Sequence, residues 1–251
     1  MQIDLKGKVA LVTGGARDIG RATSLQLAKS GASVVVNYNA SADKARAVCD
    51  EIRAGGGRAV AVQADVTRIE DIRRLFEEAS AAFGRLDILV NNAGGLLARR
   101  ALGEMDMAFW DEVMSLNLRS VAFVTQAALP YMTDGGAIVN LSSLAARDGG
   151  GPGSTAYAAA KGGVLTLTRG LSKELAARKI RVNCVSPGMI DTTFHDTFTK
   201  PEARKATAAR TTIGREGSSD DVAKAIVFLA SDASSYINGE SIEINGGLYY
   251  V

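Results

Sequence analysis

The chain has 251 residues, 47% hydrophobic and 22% charged, with a formal net charge of +2, which is enough length and apolar content for one α/β domain with a full core. Lys and Arg are dispersed among acids, which argues against a nucleic-acid-binding surface, and Cys49 and Cys184 are too few for a disulfide framework and, with a single histidine, too few for a metal site. The opening stretch MQIDLKGKVALVTGG lacks a signal-peptide pattern and no apolar run approaches the roughly 20 residues of a membrane span, so a reduced, cytoplasmic setting is expected, with Cys184 as core rather than nucleophile.

Short β-branched runs alternate with longer amphipathic stretches. KVALVTG (8–14) reads as a strand and IGRATSLQLAKSG (19–31) as a helix closed by glycine. A strand at 32–38, a helix at 41–56, a strand at 58–66 and a helix at 68–84 follow. LDILVNNAG (86–94) is a strand, and 106–132 reads as one long helix. GAIVNLSS (136–143) is a strand, 156–178 a second long helix, and IRVNCVSPG (180–188) a strand. A helix at 219–232 and a strand at 240–246 end the pattern. This alternation predicts a doubly wound Rossmann fold: a parallel seven-stranded sheet with helices on both faces. No linker or repeat divides residues 1–251, so one domain is expected; the long stretch 189–218, without a strong element, is expected to be a lid over the site.

TGGARDIG (13–20) follows the first strand and opens the first helix, the context a phosphate-cradling loop requires. Gly14 permits a tight turn, and Gly20 lets the helix pack close to the strand. Exposed N–H groups from Arg17 to Gly20, including Ile19, favour an anion. Asp18 is an acid at the edge of that position; it is expected to cap the helix it opens, its charge offset by Arg17 and Arg21. After the second strand stand Asn37, Tyr38 and Asn39, where an acid would read a ribose 2′-hydroxyl. With Arg17 placed to meet a 2′-phosphate, NADP(H) is favoured over NAD(H).

AYAAAK contains Tyr157 and Lys161, four residues apart and so on one helix face. Ionising a phenol near pH 7 requires about 4 kcal/mol. A neighbouring ammonium contributes to that, so Tyr157 suits proton exchange with a carbonyl or alcohol oxygen.

Together the loop and the pair resemble the short-chain dehydrogenase/reductase family, whose Thr-Gly-x-x-x-Gly-x-Gly motif the loop follows except at Asp18. The resemblance implies an NAD(P)-dependent oxidoreductase and assigns further roles. Ser143 would bond the substrate oxygen, with Ser142 an alternative, and Asn117 would kink its helix and hold a relay water. The stretch from Ser143 to Tyr157, with its DGGGPG insert, is about one residue longer than the usual family spacing. Asp65 and Val66 fall on the adenine side; Asn91, Ala93 and Gly94 belong to the sheet-stabilising and ribose-side motif. Pro187, Gly188, Ile190 and Thr192 match the segment that fixes the nicotinamide. Family members pair their long helices, which implies a homotetramer. A catalytically silent nucleotide-binding protein and a different Rossmann enzyme, such as a methyltransferase, are the alternatives. Arg99, Arg100, Arg147 and His195 are expected to gather at the mouth and attract a carboxylate, favouring a small polar or anionic sugar- or uronate-derived ketone over a 3-oxoacyl thioester.

Overall fold

The computed structural model describes residues 3–251. Its framework follows from strands that are apolar on both faces. β1 (Val9–Val12) and β4 (Leu86–Asn91) are buried along their whole lengths, as a strand covered on both sides must be. They pair in parallel, Leu11 beside Leu89, while β1's other edge pairs with β2 (Ser33–Tyr38), Leu11 beside Val35. β3 (Ala59–Gln63) lies outside β2. On the far side β5 (Met132–Leu141), β6 (Arg181–Pro187) and β7 (Ser241–Ile244) follow, giving the order β3-β2-β1-β4-β5-β6-β7. The chain reverses direction across the sheet between β1 and β4, so a crevice opens at the carboxyl ends of those strands.

Alternate residues of each strand feed two cores. Ala10 and Val12 face a cluster with Leu27 of α1 (Asp18–Lys29), Val48 and Ile52 of α2 (Ala42–Ala54), and Ile226 of α10 (Ser219–Ala230). Val9 and Leu11 face Leu75 and Phe76 of α3 (Ile69–Phe83) and Val124 of α5 (Ser120–Ala128). None of the described helices is long and apolar enough to cross a membrane.

Three expectations are corrected. The long helix at 106–132 is α4 (Met107–Met114), a π-helical turn (Ser115–Arg119), then α5, which stops at Ala128 because Pro130 has no N–H to continue it. The helix at 156–178 is α7 (Thr155–Glu174), preceded by the short α6 (Ala145–Asp148) and followed by a 3₁₀ turn at Ala176–Arg178. The stretch 189–218 contains two helices, α8 (Thr193–Phe198) and α9 (Pro201–Arg210), and its ends are pinned by a bridge between Ile190 and Gly217.

Candidate active site

The glycine loop closes the carboxyl end of β1. Gly14 has φ +61°, and a Cβ on Gly20 would lie 2.2 Å from the Gly14 carbonyl oxygen and 2.6 Å from Asn92 Nδ2. Only glycine allows that approach of helix to loop. Three polar residues brace the turn, two of them, Thr13 and Asn92, without an expected role, and the third, Asn37, expected instead to lie at the ribose. Asn92 Nδ2 donates to the carbonyls of Thr13 (2.8 Å) and Gly14 (3.1 Å). Thr13 Oγ1 accepts from the N–H groups of Asn92 (2.9 Å) and Ala93 (3.0 Å). The buried Asn37 accepts from Gly14 N–H at 3.1 Å and donates to Ala64 O at 3.1 Å, so it belongs to the framework. Their signal was present only as short polar residues at strand ends.

Arg17 stands at the N-cap of the 12-residue α1 and makes no side-chain cap bond. The first N–H groups of the helix are therefore free to meet an anion. A bound pyrophosphate fits that donor set. Arg17 is exposed and has no ion-pair partner among the described residues; beyond β2, Tyr38 is partly buried and Asn39 exposed. The Asp65 carboxylate accepts from Thr67 N–H (2.9 Å) and Oγ1 (2.7 Å) in a local turn, and Val66 is core.

Asp18 does not cap α1. It has φ +49°, in the left-handed region, and its carboxylate turns to the start of α8. Oδ1 accepts from Thr193 N–H at 3.2 Å and Oδ2 from Thr193 Oγ1 at 2.6 Å. Nor does Arg21 offset its charge, since that guanidinium reaches Glu51 at 2.5 Å. The expected cap exists, but on a helix 175 residues away in sequence.

At the carboxyl ends of β4 and β5 the quartet converges. Asn117 lies in the π turn, fully buried; its Nδ2 donates to Gly95 O and Val113 O, both at 2.9 Å, and its Oδ1 accepts from Gly95 N–H at 2.9 Å. The wider turn frees Val113 O from the α-helical ladder to take this bond. Lys161, one turn after Tyr157 on α7, donates from Nζ to Leu141 O at 2.8 Å and lies 5.8 Å from the Tyr157 ring centroid. Gly94 separates the two: a Cβ there would meet Asn117 Oδ1 at 2.8 Å and Lys161 Nζ at 3.0 Å. Ser143 lies beside the Tyr157 phenol, where it favours the ionised form, and accepts from Ala145 N–H at 3.2 Å, whereas Ser142 is buried and donates to Lys161 O at 2.9 Å, tying α7 to β5. Of the two serines, Ser143 is the one that faces the phenol.

Burial sets the charges. It pushes the Tyr157 phenol above its ordinary value, against the opposing influence of the neighbouring Ser143. It draws Lys161 down to about 8. At neutral pH the phenol is therefore a proton donor beside an ammonium whose charged form is only narrowly favoured.

The neighbouring motif residues divide. Asn91 is buried in a network, donating to Asn140 Oδ1 (2.8 Å) and Thr125 Oγ1 (3.0 Å), and so holds β4, β5 and α5 together. Gly188 packs on Asn245, where a Cβ would come within 2.8 Å; Pro187 O accepts from Leu144 N–H at 2.8 Å. Ile190 is core, and Thr192 Oγ1 donates to Ile190 O at 3.1 Å.

The cations expected at the mouth are engaged elsewhere. Arg147 pairs with Glu243 at 3.0 Å, both largely buried. Arg100 pairs with Asp106 and stacks over the Phe109 ring at 4.4 Å. Arg99 donates to Pro152 O (2.8 Å) and Phe198 O (3.1 Å), joining the glycine-rich insert to α8. His195 bonds Thr199 Oγ1 at 2.9 Å, and burial, reinforced by Arg204, draws it down to about 4, so it is neutral. Arg147 and Arg100 are thus paired with acids and His195 is neutral, while Arg99 keeps its charge at the edge of α8. What faces the phenol is Phe194, its ring 5.9 Å from Tyr157 and edge-on to His195 (5.0 Å) and Phe198 (5.3 Å). The sequence reading missed Phe194 because 189–218 carries no periodicity to place it. Arg204 fastens this segment through Asp191 (2.5 Å), Asp196 (2.5 Å) and Glu216 (2.6 Å). No group of side chains suited to a metal ion is present among the described residues.

A family model described as Enoyl-(Acyl carrier protein) reductase matches residues 14–249. The chain is 42% identical over 244 residues to the 3-oxoacyl-[acyl-carrier-protein] reductase FabG of Staphylococcus aureus, covering 96% of this chain and 98% of that one. It is similar to the crystal structure of a dehydrogenase/reductase from Sinorhizobium meliloti, with TM-score 0.94 and 38% identity over 99% of this chain and 98% of that one. A short chain dehydrogenase from Burkholderia cenocepacia, solved in complex with NADP, gives TM-score 0.91 and 39% identity over 97% and 98%.

Proposed function

The chain belongs to the short-chain dehydrogenase/reductase family, and on that premise we propose that it is an NADP(H)-dependent oxidoreductase that moves a hydride between nicotinamide and a carbonyl or secondary alcohol. The observation that carries this reading is that Asn117 and Lys161 meet at the bare Gly94 while Lys161 lies 5.8 Å from the Tyr157 ring and Ser143 lies beside its phenol. A protein that only bound nucleotide would have no use for a lysine held beside a buried phenol, and a methyltransferase none for the pair.

The dinucleotide would lie across the crevice. The N–H groups at the start of α1 would hold its pyrophosphate, Gly14 and Gly20 would let the loop and helix close up beneath it, and Arg17 would meet a 2′-phosphate. Tyr38 and Asn39 leave that phosphate unopposed by an acid. Asp65 and Val66 flank the adenine side; Ala93, Gly94, Ile190 and Thr192 lie toward the ribose and nicotinamide. When bound, the nicotinamide supplies or accepts the hydride.

The chain's own residues handle the proton. Ser143 Oγ orients the substrate oxygen. Tyr157 Oη donates its proton to that oxygen in reduction and takes it back in oxidation. Lys161 stabilises the resulting phenolate by charge, and Asn117 fixes the Gly95 backbone beside it. The 189–218 segment serves as a lid, with Phe194 excluding water from the phenol.

For the substrate, we place a 3-oxoacyl thioester or another carbonyl compound with an apolar body ahead of an anionic keto compound. The engaged mouth cations and the aromatic wall support this order, as does the likeness to the Staphylococcus aureus enzyme. Homotetramer formation is proposed on the exposed apolar residues Met107, Trp110 and Phe123 of α4 and α5, with light scattering as its check. The deciding experiment is titration with NADPH and NADH by nicotinamide fluorescence, followed by turnover of thioester and keto-acid substrates. NADPH bound at least tenfold more tightly than NADH, with Arg17→Ala erasing the difference, is expected; equal affinities overturn the NADP assignment. Tyr157→Phe is expected to lower turnover by about 10³-fold while leaving NADPH affinity unchanged.

A further inference from the structure

The six-residue α8 carries Phe194, the ring beside the phenol, yet buries no residue of its own. A helix this short has little to hold it by itself. Asp196 in its middle pairs with Arg204 of α9 at 2.5 Å, and each end is fastened by a side chain from a distant loop. At its carboxyl end Arg99 donates to Phe198 O at 3.1 Å. At its amino end both oxygens of Asp18 are engaged by Thr193, one by the backbone N–H and one by the hydroxyl. Asp18 reaches that position only with φ +49°, a left-handed backbone that favours glycine. Glycine would form the loop more easily; what the carboxylate adds is the contact to α8.

We propose that Asp18 is a positioning residue that latches α8 onto the phosphate cradle, and through α8 sets Phe194 against Tyr157. The same contact accounts for an acid at the rim of an anion site. Each carboxylate oxygen accepts a hydrogen bond from the lid, so the charge is satisfied there rather than by α1. The two ends of the site are thereby coupled: opening α8 frees a carboxylate beside the cradle. The inference draws on the proposed function only for the identity of the group that the latch covers.

The test is hydrogen exchange by mass spectrometry on the unliganded protein. Asp18→Gly is expected to accelerate exchange in 190–199 about tenfold, the size of one charge-assisted pair at a partly exposed site. Asp18→Asn, which keeps one acceptor, is expected to give a smaller increase. Thr193→Val alone is expected to accelerate the same peptide, and to add nothing further in the Asp18→Gly background. Exchange in 201–210 is expected to be unchanged, because Arg204 keeps its pairs with Asp191 and Glu216, which lie outside α8, even if its pair with Asp196 loosens. Acceleration confined to 18–29 would mean that Asp18 serves α1 after all; no acceleration, or additive effects of the two substitutions, would also overturn the latch. In turnover, Asp18→Gly is expected to raise KM more than it lowers kcat, and Thr193→Ser to stay near wild type. Failure of the protein to bind NADPH would defeat the proposed function and leave the exchange result to decide the latch.

Discussion

Lys161 offers a measurement that needs neither cofactor nor substrate. It is 3% exposed, and burial holds it at about 8 instead of the ordinary 10.5. The folded-state value lies below the unfolded one, so between about 8 and 10.5 the unfolded chain binds a proton that the native chain has released. Stability must therefore rise with pH across that window, and be least below it, where the native protein carries a buried ammonium. The slope is about 1.4 kcal/mol per pH unit. Between pH 7.5 and 9.5 the gain comes to about 2 kcal/mol. Lys161→Met removes the titrating group while filling similar volume. Equilibrium urea unfolding of both proteins at fixed concentration should show the wild-type-minus-variant difference climbing by that amount with pH. A difference that is flat, or that falls, would mean that the ammonium is well solvated or paired, and the electrostatic account of Tyr157 would fail with it.

Other outcomes follow from the same geometry. Arg147→Met should cost about 1–3 kcal/mol in thermal unfolding, since Glu243 loses its partner in a largely buried place; KM for a keto acid should not change, and a rise would restore Arg147 to the substrate. His195 is the only histidine, so its ring proton gives one NMR titration, expected with a midpoint near 4; a midpoint near 6.5 would show an exposed ring. Gly20→Ala should destabilise by about 1–3 kcal/mol and abolish NADPH binding, because its Cβ cannot approach the Gly14 carbonyl at 2.2 Å without moving helix or loop. Unaltered binding by that variant would show the cradle to be more yielding than the packing implies.

The sheet was legible because parallel strands buried on both faces must be apolar throughout, and runs such as VALV and SVVVNY have no other use. Tyr157 and Lys161 were legible because a four-residue spacing is local. What was illegible depended on partners distant in sequence. The fate of Asp18 is decided by Thr193, and that of Arg147 by Glu243; neither pairing leaves a mark in the local pattern. α9 is weakly amphipathic and buries nothing, so its stability rests on Arg204 and three acids rather than on an apolar face. The break at Ser115–Arg119 leaves no mark in the local periodicity either, since SLNLR is an ordinary helical run; only the family resemblance, through Asn117, pointed to a kink there, and the Gly95 backbone is the partner it needed.

That π-helical turn makes the α4–α5 segment sensitive to length. An α-helix advances about 100° and 1.5 Å per residue. Deleting one residue from 115–119 would restore a regular ladder and return Val113 O to it. Because the turn holds one residue more than a regular helix, the same deletion would leave Val124 and Thr125 in phase with the sheet but would remove the arrangement in which Asn117 Nδ2 reaches both Val113 O and Gly95 O. Stabilising this segment by making it more regular would therefore dismantle the site: the surplus residue is what presents Asn117 to the Gly95 backbone, so a gain in helical order would come at the expense of the catalytic arrangement.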